Sequence, residues 1–227
     1  AELEKNIKGL VVGIPTNHYF DLVDPEVEAA VQKAIGVLQE LGVQVKPVTI
    51  NYMEHRGAGG EADGLVYHEK FIRTHPREDY APEGVYRGIP NQFLSAIHVA
   101  KGLRIRRLLK QEFARALREV DFLVTPTSPI VAFPSGTKTV TINGEVINVV
   151  GPGVPSRTLG RNTAPTNQTG LPSLTVPCGF NSEGMPMGVQ FIGRPFQEEL
   201  ILRVGHNYET ASPREALVPP PIAALVA

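Results

Sequence analysis

Residues 9–50 read as a strand, a helix and a strand, an order that leaves few folds other than a sheet with parallel strands and helical cover. Gly9 to Pro15 is a near-continuous apolar run, as in a strand covered on both faces. Asp24 stands at the N-cap of a helix, Pro25 at its first position, and Glu26 near its positive end. Val27, Ala30, Val31, Ala34, Leu38 and Leu41 then recur at helical spacing. Gly42 supplies a left-handed stop. Val43 to Ile50 follows as the second strand, and strands joined this way through a helix run parallel.

The rest of the chain adds elements of both kinds. Tyr52 to Gly64 is polar and glycine-rich, with a loop at Gly57-Ala58-Gly59-Gly60, and Leu65 to Thr74 is read as a short helix. His75 to Pro90 holds three prolines and two glycines and is read as an irregular loop. A long helix is predicted from about Gln92 to Val120. Leu94, Ile97, Leu108, Leu109, Phe113, Ala116, Leu117 and Val120 form its apolar face, and Lys101, Arg104, Arg107, Lys110, Glu112 and Arg118 a solvated one. Asp121 to Pro126 is a second buried strand. Thr139 to Val149 alternates around Asn143-Gly144, which predicts a hairpin standing apart from the main sheet. Gly151 to Pro165 is read as a loop. Ser173 to Pro177, read as a strand buried on both faces, and Gly188 to Ile192 are strands joined by a polar turn, Glu198 to Thr210 is the last helix, and residues 212–227 are an extended tail.

Composition narrows the functional classes. The chain has 227 residues, 42% hydrophobic and 20% charged, enough apolar content for a sizeable core. Its 22 basic and 23 acidic residues leave a net charge of -1, which favours neither nucleic acid nor a membrane surface as partner. No apolar stretch approaches the roughly 20 residues of a membrane helix. A single cysteine, Cys178, excludes an intrachain disulfide and suits a reducing compartment, so a cytoplasmic location is expected. Position 1 is Ala, which suggests a segment removed or a chain that begins inside a longer protein, and leaves open whether a signal peptide preceded it.

Local motifs carry little chemistry. There is no P-loop, zinc or calcium-loop pattern, and the histidines at 18, 55, 68, 75, 98 and 206 form no ligand pair at helical spacing, so neither a metal nor a cofactor is expected. The nucleophile-elbow pattern Gly-x-Ser-x-Gly does not occur. Cys178 ends an apolar strand, where it reads either as a small buried residue or as a nucleophile awaiting a histidine placed by the fold.

Four segments together resemble the second half of amidase signature enzymes, both general amidases and the glutamine-using transamidase subunits. They are Lys8 to Pro15 with the helix that follows, Asp121-Phe-Leu-Val-Thr-Pro-Thr-Ser-Pro, Thr163-Ala-Pro-Thr-Asn-Gln-Thr-Gly-Leu-Pro-Ser-Leu-Thr-Val-Pro-Cys-Gly, and Gly184-Met-Pro-Met-Gly-Val-Gln-Phe-Ile-Gly-Arg-Pro-Phe. The resemblance implies an α/β fold with a mixed β-sheet flanked by helices. It also implies hydrolysis of a carboxamide C–N bond through an acyl-enzyme, with two serines and a lysine as the catalytic set.

Those catalytic residues belong to the family's first half and have no matching positions here, so the resemblance implies no catalytic residue in this chain. The expected roles are sheet strands and one wall of a pocket for a small-molecule amide. The expected partner is the first half of the enzyme, with homo-oligomers compatible. Arg87 falls near a substrate-reading arginine of the transamidase subunits, and a plain surface-loop arginine is the equal alternative. Gly160 stands about where those subunits carry an acidic residue, which favours a general amidase over a glutamine-using enzyme. Asn167, with Thr169 and Gly170, either shapes the loop or touches substrate. A non-catalytic ligand-binding or scaffold domain, and a hydrolase using Cys178, are the competing readings.

Overall fold

Asp24 opens the first helix by accepting a hydrogen bond from the Glu26 N–H at 2.8 Å. The computed structural model describes residues 2–55, 61–75, 77–79, 93–150 and 159–212. Strand β1 (Val11–Pro15), helix α1 (Pro25–Glu40) and strand β2 (Gln44–Val48) form the expected parallel unit, with Val11 opposite Gln44 and Pro15 opposite Val48. Gly42 ends the helix at φ +84. Helices α2 (Glu61–Thr74) and α3 (Ala96–Glu119) precede β3 (Phe122–Pro126). The hairpin strands β4 (Thr139–Ile142) and β5 (Glu145–Asn148) turn at Asn143 and Gly144, both at positive φ as an inverse turn requires. A short helix α4 (Ala164–Thr169), strands β6 (Ser173–Phe180) and β7 (Pro186–Ile192), and helix α5 (Glu198–Ala211) complete the described chain.

The main sheet has the order β2-β1-β3-β7-β6. β2, β1 and β3 run parallel, while β7 is antiparallel to β3 and β6 antiparallel to β7. The sheet is therefore mixed, and helices cover both faces. On one face Val12, Phe122, Val124, Val176, Val189 and Phe191 pack against α1 and α5. On the other, Leu123 and Ile192 pack against Leu109, Phe113, Ala116 and Leu117 of α3. Alternation along β3 sends Phe122 and Val124 to the first face and Leu123 to the second.

Three expectations change. The 159–170 region is not all loop: Thr163 to Gly170 closes a helix whose Thr166 and Thr169 hydroxyls bond back to Thr163 and Pro165 carbonyls. The apolar face of α3 is buried only in its second half. Ile97 is 69% exposed and Leu108 41%, although the same stretch meets α4 through Arg106 and the Gln168 carbonyl. β6 is not covered on both faces. Ser173, Thr175 and Pro177 are exposed, since β6 is the last strand of the sheet and α5 covers one side of it.

The two edges of the sheet differ. On β2, Gln44 donates to the Leu10 carbonyl and Val48 accepts from the Thr16 N–H, so residues 44, 46 and 48 face β1. Val45 and Pro47 face outward, and Pro47 has no N–H to offer. On β7, the Gly188 carbonyl accepts from the Thr127 N–H on the β3 side, so its partner Pro177 on β6 faces away from β7. By alternation Ser173 and Thr175 also point their N–H groups outward.

The loop predicted between 75 and 90 lies mostly outside the described residues, as do the Gly57–Gly60 loop, the stretch from 151 to 158 and the tail beyond 212. No described helix is long and apolar enough to cross a membrane.

Candidate functional site

Polar side chains gather where β3 ends. Thr125 is fully buried and donates its hydroxyl to the Gln190 side-chain oxygen on β7 at 3.2 Å. Two residues on, the Thr127 hydroxyl donates to Thr175 on β6 at 3.1 Å. Gly188 sits between them, and a Cβ there would fall 3.1 Å from the Thr127 hydroxyl oxygen and 3.0 Å from the Thr175 methyl. Three strands thus present a row of neutral hydroxyl and amide groups on the face away from α1 and α5.

Two loops lock this row from above. The fully buried Asn162 donates from Nδ2 to the Pro126 carbonyl at 3.0 Å, and its Oδ1 has no hydrogen-bond partner within the described structure. A buried acceptor left so is costly unless water or another chain meets it. Arg161 donates to the His18 carbonyl, and the His18 ring meets the Arg161 carbonyl at 2.9 Å. Asn17 ties the same loop to the strand end with a reciprocal pair to Ile50, at 2.8 and 3.2 Å. Arg106 of α3 donates to the Gln168 carbonyl of α4 at 2.6 Å.

This arrangement can hold and orient neutral polar groups. It does not make a nucleophile. Cys178 lies in the apolar cluster beneath α1, and burial pushes its thiol up to about 12. A thiol so buried is a poor nucleophile, which favours the reading of Cys178 as a small buried residue. Ser128 donates its hydroxyl to the Ile130 carbonyl at 2.6 Å and is engaged in its own turn. Among the described residues no cluster of three His, Cys, Asp or Glu side chains is set to hold a metal ion. A separate groove of about 350 Å³ lies between the hairpin and the start of α1, lined by Asp24, Glu26, Ile130, Phe133, Val140 and Glu183. Its Glu26 carboxylate is already bonded to the Ser182 N–H and hydroxyl.

The three residues singled out in the sequence stand apart in status. Gly160 is half-buried, and its carbonyl accepts from the Ala164 N–H at 2.8 Å, so it starts α4 through its backbone. Asn167 is exposed on that same helix. Arg87 lies outside the described residues. Sequence reasoning missed Asn162 and Gln190 as individuals. Gln190 sits in the Gly-Val-Gln-Phe motif, where a polar residue within a strand of apolar neighbours is the available signal. Nothing local marks Asn162.

With the mixed sheet, its helical cover and the Thr-Pro, Thr-Gly-Leu-Pro and Gly-Val-Gln-Phe segments in place, the comparisons agree on a class. A family profile described as Amidase matches residues 1–202. The chain belongs to the amidase signature family of hydrolases. It is 34% identical to the A-type subunit of the glutamyl-tRNA(Gln) amidotransferase of Chloroflexus aggregans, covering 92% of this chain and 46% of the relative. The corresponding protein of Myxococcus xanthus is 30% identical with the same coverage. One solved structure, described as a vestigial protein complex that reveals the evolutionary origins of an s-triazine catabolic enzyme, superposes with a TM-score of 0.78 at 28% identity. It covers 92% of this chain and 45% of its own. A crystal structure of an amidase shares the fold with a TM-score of 0.77 at 24% identity, over 91% and 46% of the two chains. The chain spans about half the length of the relatives it matches.

Proposed function

We propose that this chain is the C-terminal portion of an amidase that hydrolyses the C–N bond of a small carboxamide. In the assembled enzyme a serine of the other half attacks the amide carbon, the amine leaves with a proton, and water then releases the acid from the acyl-serine. This chain supplies five sheet strands and a wall of neutral hydrogen-bonding groups. The observation that carries the reading is the locked polar row Thr125, Gln190, Thr127 and Thr175 under Asn162, set on an amidase-type sheet yet holding no nucleophile–base pair.

Arg87, Gly160 and Asn167 are proposed to border the pocket. Gly160, without a carboxylate, supports a general amide rather than an amino-acid amide as substrate. The partner is the half that carries the catalytic serines and lysine, and the expected site is cytoplasmic.

The test measures ammonia release from simple amides. The purified chain is expected to release none, and activity is expected once the other half of an amidase is joined to it. Sustained turnover by the chain alone, unchanged in Cys178→Ala, would overturn the proposal.

A further inference from the structure

We infer that Asn143, at the tip of the β4–β5 hairpin, is a site of spontaneous deamidation, and that its conversion releases the hairpin from the start of α1. Asn143 is the only asparagine of the chain that is followed by glycine. Deamidation needs the backbone nitrogen of the following residue to reach the asparagine Cγ, and a side chain on that residue stands in the way. Gly144 has none, and a Cβ built there would meet nothing within 4 Å, so the approach is open to solvent. The hairpin's ladder closes on Ile142 and Glu145, which leaves the Gly144 N–H without an acceptor among the described residues. The Asn143 amide itself is loosely held. Its Nδ2 donates to the Val23 carbonyl at 3.3 Å, long for such a bond. Asn181, in the turn between β6 and β7, is arranged the opposite way. Its Oδ1 accepts from the Glu183 and Met185 N–H groups at 3.1 and 2.7 Å, and the Ser182 nitrogen that would attack it donates to the Glu26 carboxylate at 2.8 Å. Asn143 is thus distinguished both by the residue that follows it and by the weakness of its hold.

In the reaction the Gly144 nitrogen bonds to Asn143 Cγ and gives up its proton, the Cγ–Nδ2 bond breaks, and ammonia leaves with that proton. A succinimide ring joins the two residues. Water, the co-reactant, then adds to one of the ring carbonyls and the ring C–N bond opens there. The product is aspartate with the ordinary backbone or isoaspartate with the backbone running through Cγ. Either product lacks the Nδ2 donor, so the Val23 carbonyl loses that bond. Either also brings a carboxylate next to Asp24, in a groove lined by Asp24, Glu26 and Glu183 and by no basic side chain. Like charges there oppose the hairpin's seat. Isoaspartate further lengthens the turn by a backbone atom, which breaks the match between turn and the Ile142–Glu145 pair. The seat matters to the candidate site. Ile142 and Val149 of the hairpin pack in one cluster with Leu22, Ile130 and Leu159. Leu22 lies in the loop after β1, Ile130 in the loop after β3, and Leu159 leads into Arg161 and Asn162. Release of the hairpin therefore loosens the loops that lock the polar row.

The experiment incubates the folded chain at pH 8 beside the same chain in denaturant, and follows each asparagine by peptide mapping that separates Asn, Asp and isoaspartate. Asn143 is expected to convert in both samples, and Asn181 in denaturant only. Amide hydrogen exchange at Val149, which donates to the Lys138 carbonyl across the hairpin, is expected to quicken by about tenfold or more in the converted fraction, while Leu123 in the central strand stays protected. Asn143→Gly keeps a turn that tolerates positive φ and removes the reactive amide, so its Val149 exchange is expected to hold steady throughout the incubation. An Asn143 that stays intact in the folded chain while it converts in denaturant overturns the site, because the turn then holds the amide out of reach. Conversion of Asn181 in the folded chain as fast as that of Asn143 overturns the structural reason for choosing between them. Full conversion of Asn143 with Val149 exchange unchanged overturns the release of the hairpin.

Discussion

At Cys178 burial and chemistry pull the same way. The thiol lies 7% exposed among α1 and β7 side chains, and its ionisation is pushed from 9.0 to about 12. Three units correspond to about a thousandfold less thiolate at a given pH near neutrality. Alkylation of the native protein at pH 8 is therefore expected to be about a thousandfold or more slower than in denaturant, where comparable rates would place the thiol at the surface. The sign of the linked stability follows. A folded-state pKa above the unfolded one means that the contribution is fully present below about 9 and is lost as pH rises toward 12. Denaturant midpoints should fall over that window, and by less in Cys178→Ala once its cavity cost is subtracted. Tyr19 makes the opposite point about burial. Its ring is wholly buried in the second core cluster, its hydroxyl has no hydrogen-bond partner among the described residues, and burial raises its ionisation strongly. Tyr19→Phe removes an unsatisfied group, so stability should hold or rise by up to about 1–3 kcal/mol. A clear loss in urea melts would reveal a hydrogen bond that the hydroxyl does make.

At the scale of elements, what was legible in the sequence was what is settled locally. Asp24, Pro25 and Gly42 define α1 through contacts within a few residues, and the sequence places that helix nearly to the residue. Gly42 allows a direct check. At φ +84 any side chain is strained, and a Cβ would fall 2.8 Å from the Lys8 stem. Gly9 has the same φ with open space around it, so Gly9→Ala should cost about 1 kcal/mol. Gly42→Ala should cost at least as much, and more if Lys8 cannot swing aside. Equal stability of Gly42→Ala and the parent chain would refute the left-handed stop. Elements set by distant contacts were not legible. α4 is six residues with a proline and two threonines, weak by propensity, and it is held by Arg106 from α3 sixty-two positions away. The exposed half of α3 shows the same limit. Its apolar periodicity is real, but periodicity cannot say whether a neighbour is present to cover it. Asn162 acquires its role from the Pro126 carbonyl, thirty-six positions earlier, and no short motif could announce it.

For the whole molecule, the exposed apolar residues Ile97, Leu103 and Leu108 on α3, together with the 94% exposed Phe196, describe a body with uncovered surface. Such a chain alone is expected to self-associate, and a monomer at all concentrations in light scattering would contradict that. How far association goes depends on the two ends of the sheet. Pro47 removes a donor from one of them and leaves it a single outward N–H, at Val45, so a second β6 docks on β6 while β2 is a poor edge on which to carry the chain further. Edge pairing then favours two, and the twofold pair has only poor ends from which a fibre could lengthen. Incubated at high concentration, the chain should yield discrete dimers or amorphous aggregate without thioflavin-positive fibrils. Pro47→Val, which restores the missing N–H, should be the variant in which fibrils first appear.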